Sequence, residues 1–166
     1  MDGLQEAMLR RLARLEACEA IRQCVYRYAL AGDRHNHAGI LSDLLTDDAV
    51  FEAPGVAGFT GKDAVLSGLA EVARHTVLWA FHLPAGPLIE LKEDMRSAHC
   101  FWWLWEPVRL RDGPGEATPR WAAAHYNADL VEQDGAWRFR RILLETKMLT
   151  PFEGPWTEID GEFEWP

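Results

Sequence analysis

A chain of 166 residues with 48% hydrophobic and 26% charged residues has the length and composition of one globular domain. Its net charge of −9 argues against a nucleic-acid partner, because nucleic-acid binding depends on basic side chains that neutralise phosphates. No apolar run approaches the roughly 20 residues of a membrane span, and the first six residues lack the basic-then-apolar order of a secretory signal. We therefore expect a cytoplasmic protein with no membrane partner.

The first half of the chain has the apolar periodicity of helices. Residues 4–31 repeat apolar side chains at three- and four-residue steps, which predicts one long helix that stops at Gly32. Shorter elements follow, and the local sequence predicts them in this order: a helix over 37–45, a turn over 46–48, a strand over 49–53, a turn over 58–61 and a helix over 62–74.

From residue 80 onward the apolar period changes to two. Four strands rich in Trp, Val, Ile and Phe are predicted over residues 80–92, 95–109, 120–133 and 136–149, with a loop at 112–115 and a tight hairpin turn at 133–135. The tail from 151 to 166 is expected to lie on the surface. Helices followed by strands indicate an α+β fold, in which a curved mixed or antiparallel sheet wraps a long N-terminal helix to form a cone with one open mouth.

The strand around residues 98–106 is apolar on both of its faces. One face should line the cone, and the other needs a cover. Contact with further copies through the sheet would cover it, which predicts a homodimer or a homotrimer.

Four segments occur in an order that is typical of one known family. Residues 20–33 precede Leu-Leu-Thr-Asp-Asp-Ala-Val-Phe at 44–51, then come Gly-Lys-Asp-Ala-Val at 61–65, a His-Leu pair with a following strand at 82–91, and Asp-Gly-Ala-Trp-Arg-Phe at 134–139. Over residues 15–156 this order resembles the SnoaL-like branch of the NTF2-like superfamily. The resemblance implies one SnoaL-like domain with an NTF2-like (cystatin-like) cone.

Within that superfamily the chain is similar to the group that contains scytalone dehydratase, hexachlorocyclohexane dehydrochlorinase and bile-acid 7α-dehydratase. The resemblance implies that Asp33 and His82 form a catalytic pair, that Arg141 is a functional basic residue and that Glu106 is a functional acid. The paired serine and asparagine of scytalone dehydratase are missing, and residues 124–127 are Ala-His-Tyr-Asn instead. This difference argues against a scytalone-like substrate.

A paired aspartate and histidine in an apolar cone would make a general base. The neutral imidazole of His82 suits proton abstraction near neutral pH, and Asp33 would fix its tautomer and stabilise the imidazolium. Tyr28, five residues before Asp33, could donate a hydrogen bond to a ligand oxygen. The alternatives remain open: a backbone-bonded histidine, an aspartate that only ends a helix, and a tyrosine that only packs.

Further residues are candidates for contact with the substrate. Neighbouring residues in a strand face opposite sides, so only one of His125 and Tyr126 can face the cone. If Phe139 faces inward, the period of two also places Arg141 inward, with Glu106 as a possible partner; an arginine at a dimer interface is the alternative. The complete set of predicted substrate-binding residues is Phe51, Trp79, Trp102, Glu106, Tyr126 and His125.

These observations predict a cofactor-independent lyase. We expect a dehydratase that acts on a small cyclic, steroid-like or polyketide-like compound through the Asp33–His82 dyad, with Tyr28 or Arg141 polarising an oxygen of the substrate. The acidic chain and the many aromatic residues favour a neutral, apolar ligand with one or two polar groups. The sequence has no metal-ligand spacing and no cofactor motif. The alternatives are a proton-transfer isomerase or cyclase, or a non-catalytic small-molecule binder or accessory subunit.

Overall fold

The computed structural model describes residues 2–111 and 113–152. Three helices were expected and three are present: α1 (Asp2–Asp33), α2 (Ala38–Leu44) and α3 (Lys62–His75). Helix α1 does not stop at Gly32 but continues to Asp33. The predicted surface tail lies outside the described residues from position 153 onward.

Seven strands follow these helices or lie between them. They are β1 (Leu45–Ala53), β2 (Ala57–Thr60), β3 (Val77–Ala80), β4 (Leu83–Leu91), β5 (Ser97–Leu110), β6 (Thr118–Gln133) and β7 (Ala136–Pro151).

The turns predicted over 46–48 and 58–61 are wrong. Residues 46–48 lie in β1, which pairs in parallel with β7, and residues 58–60 belong to β2, which pairs antiparallel with β1. The register between β1 and β7 shifts after Leu45, and the polar residues that suggested a turn occupy this irregular stretch. Pairing with neighbouring strands has overridden local turn propensity.

The sheet is mixed and has the strand order β2-β1-β7-β6-β5-β3, with β4 also paired to β5. Strands β3 and β4 therefore occupy one edge of β5 in succession. The single strand predicted over 80–92 is wrong because it is interrupted at Phe81 and His82. Opposite this interruption lies Pro107, which has no backbone N–H to donate and only accepts a hydrogen bond from the N–H of Phe81, at 3.1 Å.

The two faces of the sheet differ in what covers them. On β5, Cys100, Trp102 and Leu104 are buried against the C-terminal half of α1, as the alternation of a strand requires. On the opposite face, Trp103 and Trp105 are 49% and 43% exposed. The inner face thus forms a cone with α1 across it, and the outer face is partly apolar.

No described helix is long and apolar enough to cross a membrane. The described part of the chain also contains no cluster of three or more His, Cys, Asp or Glu side chains suited to a metal ion.

Candidate active site

The interruption between β3 and β4 brings His82 to the end of helix α1. Asp33, the last residue of that helix, accepts two hydrogen bonds on one carboxylate oxygen. The backbone N–H of His82 donates to Oδ1 at 2.7 Å, and the imidazole Nδ1 lies 2.8 Å from the same atom. An acceptor at Nδ1 selects the tautomer with the proton on Nδ1 and leaves Nε2 free to act as a base.

Gly32 makes this contact possible. A Cβ atom added at position 32 would lie 2.6 Å from Cε1 and 2.9 Å from Nε2 of His82. The imidazole therefore packs directly on the backbone of the last turn of α1. The sequence suggested that Gly32 ends the helix, whereas in the structure it provides the space that the histidine ring occupies.

Glu106 completes the group from the neighbouring strand. The pairs Ala80–Val108 and Leu83–Trp105 share one register, so His82 lies opposite Glu106 across the strand interruption. The distance between His82 Nε2 and Glu106 Oε1 is 3.7 Å, and both side chains are only 14% exposed. The sequence offered Glu106 as a possible partner of Arg141. That prediction is wrong, because the Glu106 side chain faces His82.

Burial and charge shift the pKa values of both groups. Burial lowers the pKa of His82, but the hydrogen bond to Asp33 and the negative charges of Glu106 and Asp33 outweigh it, so the net pKa is raised. Burial raises the pKa of Glu106, the His82 charge lowers it, and the Asp33 charge raises it again. The net pKa of Glu106 is also raised, so one proton can pass between the imidazole of His82, as the base, and the carboxyl group of Glu106, as the weak acid.

Aromatic side chains surround the inner end of this group. Tyr126 stacks on Trp102 with ring centroids 4.7 Å apart, and Tyr28 contacts the edge of Tyr126 at 5.7 Å. The two tyrosines also interact through a hydrogen bond; burial raises the pKa of each, and the charge of Glu106 raises it further. Phe51 is buried in the same core and stacks on Phe59 at 6.1 Å. The inward residue of the strand pair is therefore Tyr126.

The structure corrects the inward orientation expected of Arg141. Arg140 is an extra residue in β7, because Leu130 pairs with Phe139 whereas Asp129 pairs with Arg141. This bulge reverses the alternation, so Phe139 and Ile142 are both buried between the sheet and the helices. The Arg141 guanidinium is 43% exposed and forms an ion pair with Glu52 at 2.6 Å on the outer face.

Two other predicted substrate contacts also lie away from the site. His125 is on the outer face, where its Nε2 lies 2.7 Å from Glu145 Oε2. Trp79 pairs with Arg109, one step along from the buried pair of Ala80 and Val108, and so lies on the opposite face from that pair. Strand alternation excludes both residues from the inner face.

Two features of the site were not expected from the sequence: the close approach at Gly32 and the contact between His82 and Glu106. The proline at position 107 was the available signal. A proline in a central strand marks a local loss of pairing, and counting back from it places Glu106 opposite His82, the second residue of the interruption.

The three described helices and the curved mixed sheet have the architecture of the cystatin-like fold. Residues 13–142 match the model of the SnoaL-like domain, and the chain belongs to this family. Comparison with curated protein sequences finds no match.

Solved structures confirm the NTF2-like cone. A hexachlorocyclohexane dehydrochlorinase, LinA type 3 from Novosphingobium barchaimii, is 19% identical, with 90% of this chain and 99% of the other covered and a TM-score of 0.80. A proposed scytalone dehydratase from Novosphingobium aromaticivorans is 22% identical, with 92% and 98% covered and a TM-score of 0.71. An uncharacterised cystatin-like protein from Caulobacter vibrioides is 17% identical, with 79% and 89% covered and a TM-score of 0.68.

Proposed function

We propose that this protein is a cofactor-independent lyase that removes water from a small cyclic substrate. The observation that carries the proposal is the arrangement of His82, with Nδ1 held by Asp33 at 2.8 Å and Nε2 directed to Glu106 at 3.7 Å. A base that is oriented by one carboxylate and faces a second, weakly acidic carboxyl group provides both proton transfers of an elimination. Two of the similar structures, named as a dehydrochlorinase and a proposed dehydratase, agree with a lyase.

In the proposed reaction, Nε2 of His82 takes the proton from a carbon next to an activating carbonyl. The electrons of that bond form the new double bond, and the neighbouring hydroxyl leaves with a proton from Glu106 as water. The Asp33 carboxylate stabilises the imidazolium formed in the first transfer. The cycle closes when the imidazolium returns a proton to the Glu106 carboxylate across the 3.7 Å gap.

The same residues limit the class of substrate. Asp33 and Glu106 place two carboxyl groups beside the reacting atoms, and Arg141 forms its ion pair with Glu52 on the outer face. An anionic substrate would be repelled by this local charge. The aromatic rings of Tyr28 and Trp102 favour a largely apolar compound, and a tyrosine hydroxyl can bind its oxygen. We therefore propose a neutral cyclic hydroxy-ketone, steroid-like or polyketide-like in shape.

The test uses solvent deuterium exchange into a panel of cyclic ketones and β-hydroxy-ketones. Native protein should incorporate deuterium at the carbon next to the carbonyl and convert at least one hydroxy-ketone to its enone. His82→Ala should lose both activities. His125→Ala is the matched control because it removes a histidine that is also paired with a carboxylate but lies on the outer face.

Each alternative has its own result in this experiment. Exchange without loss of water would indicate an isomerase or cyclase that uses the same base. Tight binding of an apolar ligand with no exchange in native protein would indicate a binder or accessory subunit. Equal exchange in native protein and in His82→Ala would remove His82 from the mechanism.

We also propose that copies of the chain associate through the outer face of the sheet, as a dimer or a trimer. Leu88, Trp103 and Trp105 are 58%, 49% and 43% exposed and lie on the paired strands β4 and β5. A contiguous apolar surface of this kind marks an interface more often than a free surface. If sedimentation shows that the protein is a monomer, so that these side chains are exposed to water, the proposed interface is wrong.

A further inference from the structure

The first half of helix α1 carries a row of apolar side chains that no other described residue covers. Leu4, Met8, Leu9, Leu12 and Leu15 are between 51% and 72% exposed. The second half of the same helix, by contrast, is buried in the core from Ile21 onward. An isolated exposed leucine needs no explanation, but five large apolar residues within four turns define an interaction surface.

The two sides of this half-helix have opposite character. The side that faces the turn between β4 and β5 borders a groove of about 790 Å³, and charged residues of both signs line it, among them Glu6, Arg10, Arg14 and Glu93, with Arg11 between this groove and the apolar row. The apolar row lies on the other side, away from the body of the protein. Within residues 2–111 and 113–152 no other element covers this row, which leaves it open to another molecule.

The spacing of the row fits one particular kind of cover. Met8, Leu12 and Leu15 follow each other at steps of four and three residues and lie within an arc of about 60° on the helix. These steps are those of the core positions of a coiled coil. The row ends at Glu19, which is paired with Arg22 on the same helix. A seam of two heptads is short, but this segment is already part of a 32-residue helix, so no new helix has to be nucleated.

We propose that the segment 4–16 of α1 pairs with the same segment of a second copy of this chain, with the two helices parallel. Arg11 and Glu16 lie on opposite flanks of the seam and are five residues apart. In a parallel pair this spacing brings Arg11 of one copy against Glu16 of the other, and Leu4 against Leu9 in the same way. An antiparallel pair would instead bring Arg11 against Arg11.

The charges of the segment are consistent with this partner. Within the described residues, neither Arg11 nor Glu16 forms an ion pair, so both are available to a second chain. A net charge of −9 opposes attachment to an anionic lipid surface, which is the other common cover for an amphipathic helix. This interface is separate from the outer face of the sheet and independent of the proposed reaction.

Disulfide trapping tests the orientation. In a Cys18→Ser background, Met8→Cys and Leu15→Cys should each form a cross-linked dimer on mild oxidation, because equivalent seam positions face each other in a parallel pair. Ala13→Cys, which is exposed on the same turn but lies off the seam, is the matched control and should stay uncross-linked. Cross-linking only after the Met8→Cys and Leu15→Cys proteins are mixed would overturn the parallel arrangement, and no cross-linking would overturn the pairing.

Charge exchange tests the contact itself. Arg11→Glu and Glu16→Arg should each weaken the assembly by about tenfold in dissociation constant, because two ion pairs per dimer become repulsive. The double variant should return close to the native value. Circular dichroism checks that each variant keeps its helix content.

Two results would overturn the proposal. The first is unchanged sedimentation of both single variants, which would mean that the flanking charges face no second copy. The second is binding of native protein to phosphatidylcholine vesicles that is lost in Leu12→Glu, which would identify a lipid surface as the cover.

Discussion

One histidine–carboxylate pair on each face of the sheet can be compared, because the two have nearly equal distances between nitrogen and oxygen. On the inner side, His82 Nδ1 lies 2.8 Å from Asp33, and on the outer side, His125 Nε2 lies 2.7 Å from Glu145. The surroundings differ. The inner side chains are 14% and 23% exposed, and the outer ones are 22% and 37% exposed.

The glutamates nearest to the two histidines have pKa values that are shifted in opposite directions. The pKa of Glu106 is raised, chiefly by burial and also by the charge of Asp33. The pKa of Glu145 is lowered, chiefly by the hydrogen bond from His125, and also by Lys147. Burial therefore raises the pKa of the glutamate that lies 3.7 Å from its histidine, whereas a direct hydrogen bond lowers the pKa of the more exposed glutamate that lies 2.7 Å from its own.

The largest expected effect comes from neutralising the inner carboxylate. Asp33→Asn should lower kcat of the proposed elimination by about 10³-fold, because an amide cannot stabilise the imidazolium and its NH₂ group can favour the wrong tautomer. Glu145→Gln makes the same change in the outer pair and should leave kcat within about twofold. Steady-state kinetics with the substrate found by deuterium exchange makes the comparison. A similar loss in both variants would show that the two pairs are not functionally different.

The space at Gly32 gives the next effect. Gly32→Ala should lower kcat by about 10²-fold, because the added methyl group would lie 2.6 Å from Cε1 of His82 and displace the ring from its bonding position. Gly3→Ala lies in the same helix with no atom within 4 Å of the new Cβ, and controls for the gain in helix propensity. Full activity in Gly32→Ala with an unmoved histidine NMR signal would contradict the packing argument.

Much of the fold followed from the sequence because its signals were local. The three helices and the strands β5, β6 and β7 were predicted from local runs and repeats of apolar residues, and Asp134 and Gly135 both adopt the positive φ angles of a tight hairpin turn. Strand β2 and the beginning of β1 could not be predicted because their residues favour turns. Only pairing with strands that are distant in sequence makes them extended.

The candidate site followed from the sequence only in part. Asp33 and His82 could be paired through the resemblance to a family, since 49 residues separate them and no local pattern joins them. Arg141 was misplaced because a period of two fails at a bulge, and the extra residue Arg140 has no signature in the sequence. His125 and Tyr126 could not be distinguished, because the strand is apolar on both faces.

The inner and outer glutamates should also differ in how they couple stability to pH. Raised pKa values mean that His82 and Glu106 contribute stability that is complete below about pH 6.5 and 4.5, respectively, and is lost as the pH rises through their raised values. Thermal stability of native protein should therefore fall as the pH rises from about 4.5 through the raised pKa values of both groups. In Glu106→Gln the fall should be smaller, and an NMR titration should give a lower pKa for His82.

Glu145→Gln is the control for this comparison. The lowered pKa of Glu145 means that its contribution is present above about pH 4.5 and is lost only as the pH falls through its lowered value. Above about pH 4.5 this variant should keep the native slope of melting temperature against pH. If Glu106→Gln also kept the native slope and the native titration of His82, the two carboxyl groups would not be coupled to the histidine as proposed.

The smallest effect is expected at Arg141, the residue that the sequence placed in the site and the structure places on the outer face. In its ion pair with Glu52, each of the two side chains is 43% exposed. Exposed ion pairs contribute about 0.2–1 kcal/mol to the free energy of unfolding. Arg141→Ala should therefore lower the melting temperature by no more than about 4 °C and leave kcat within about twofold. Arg96→Ala, which breaks an ion pair with Glu132 elsewhere on the surface, should behave alike. If Arg141→Ala alone lost more than tenfold in turnover at an unchanged melting temperature, the Arg141 guanidinium would have a role in the reaction. Such a result would also mean that a group on the outer face can act on a substrate bound inside the cone.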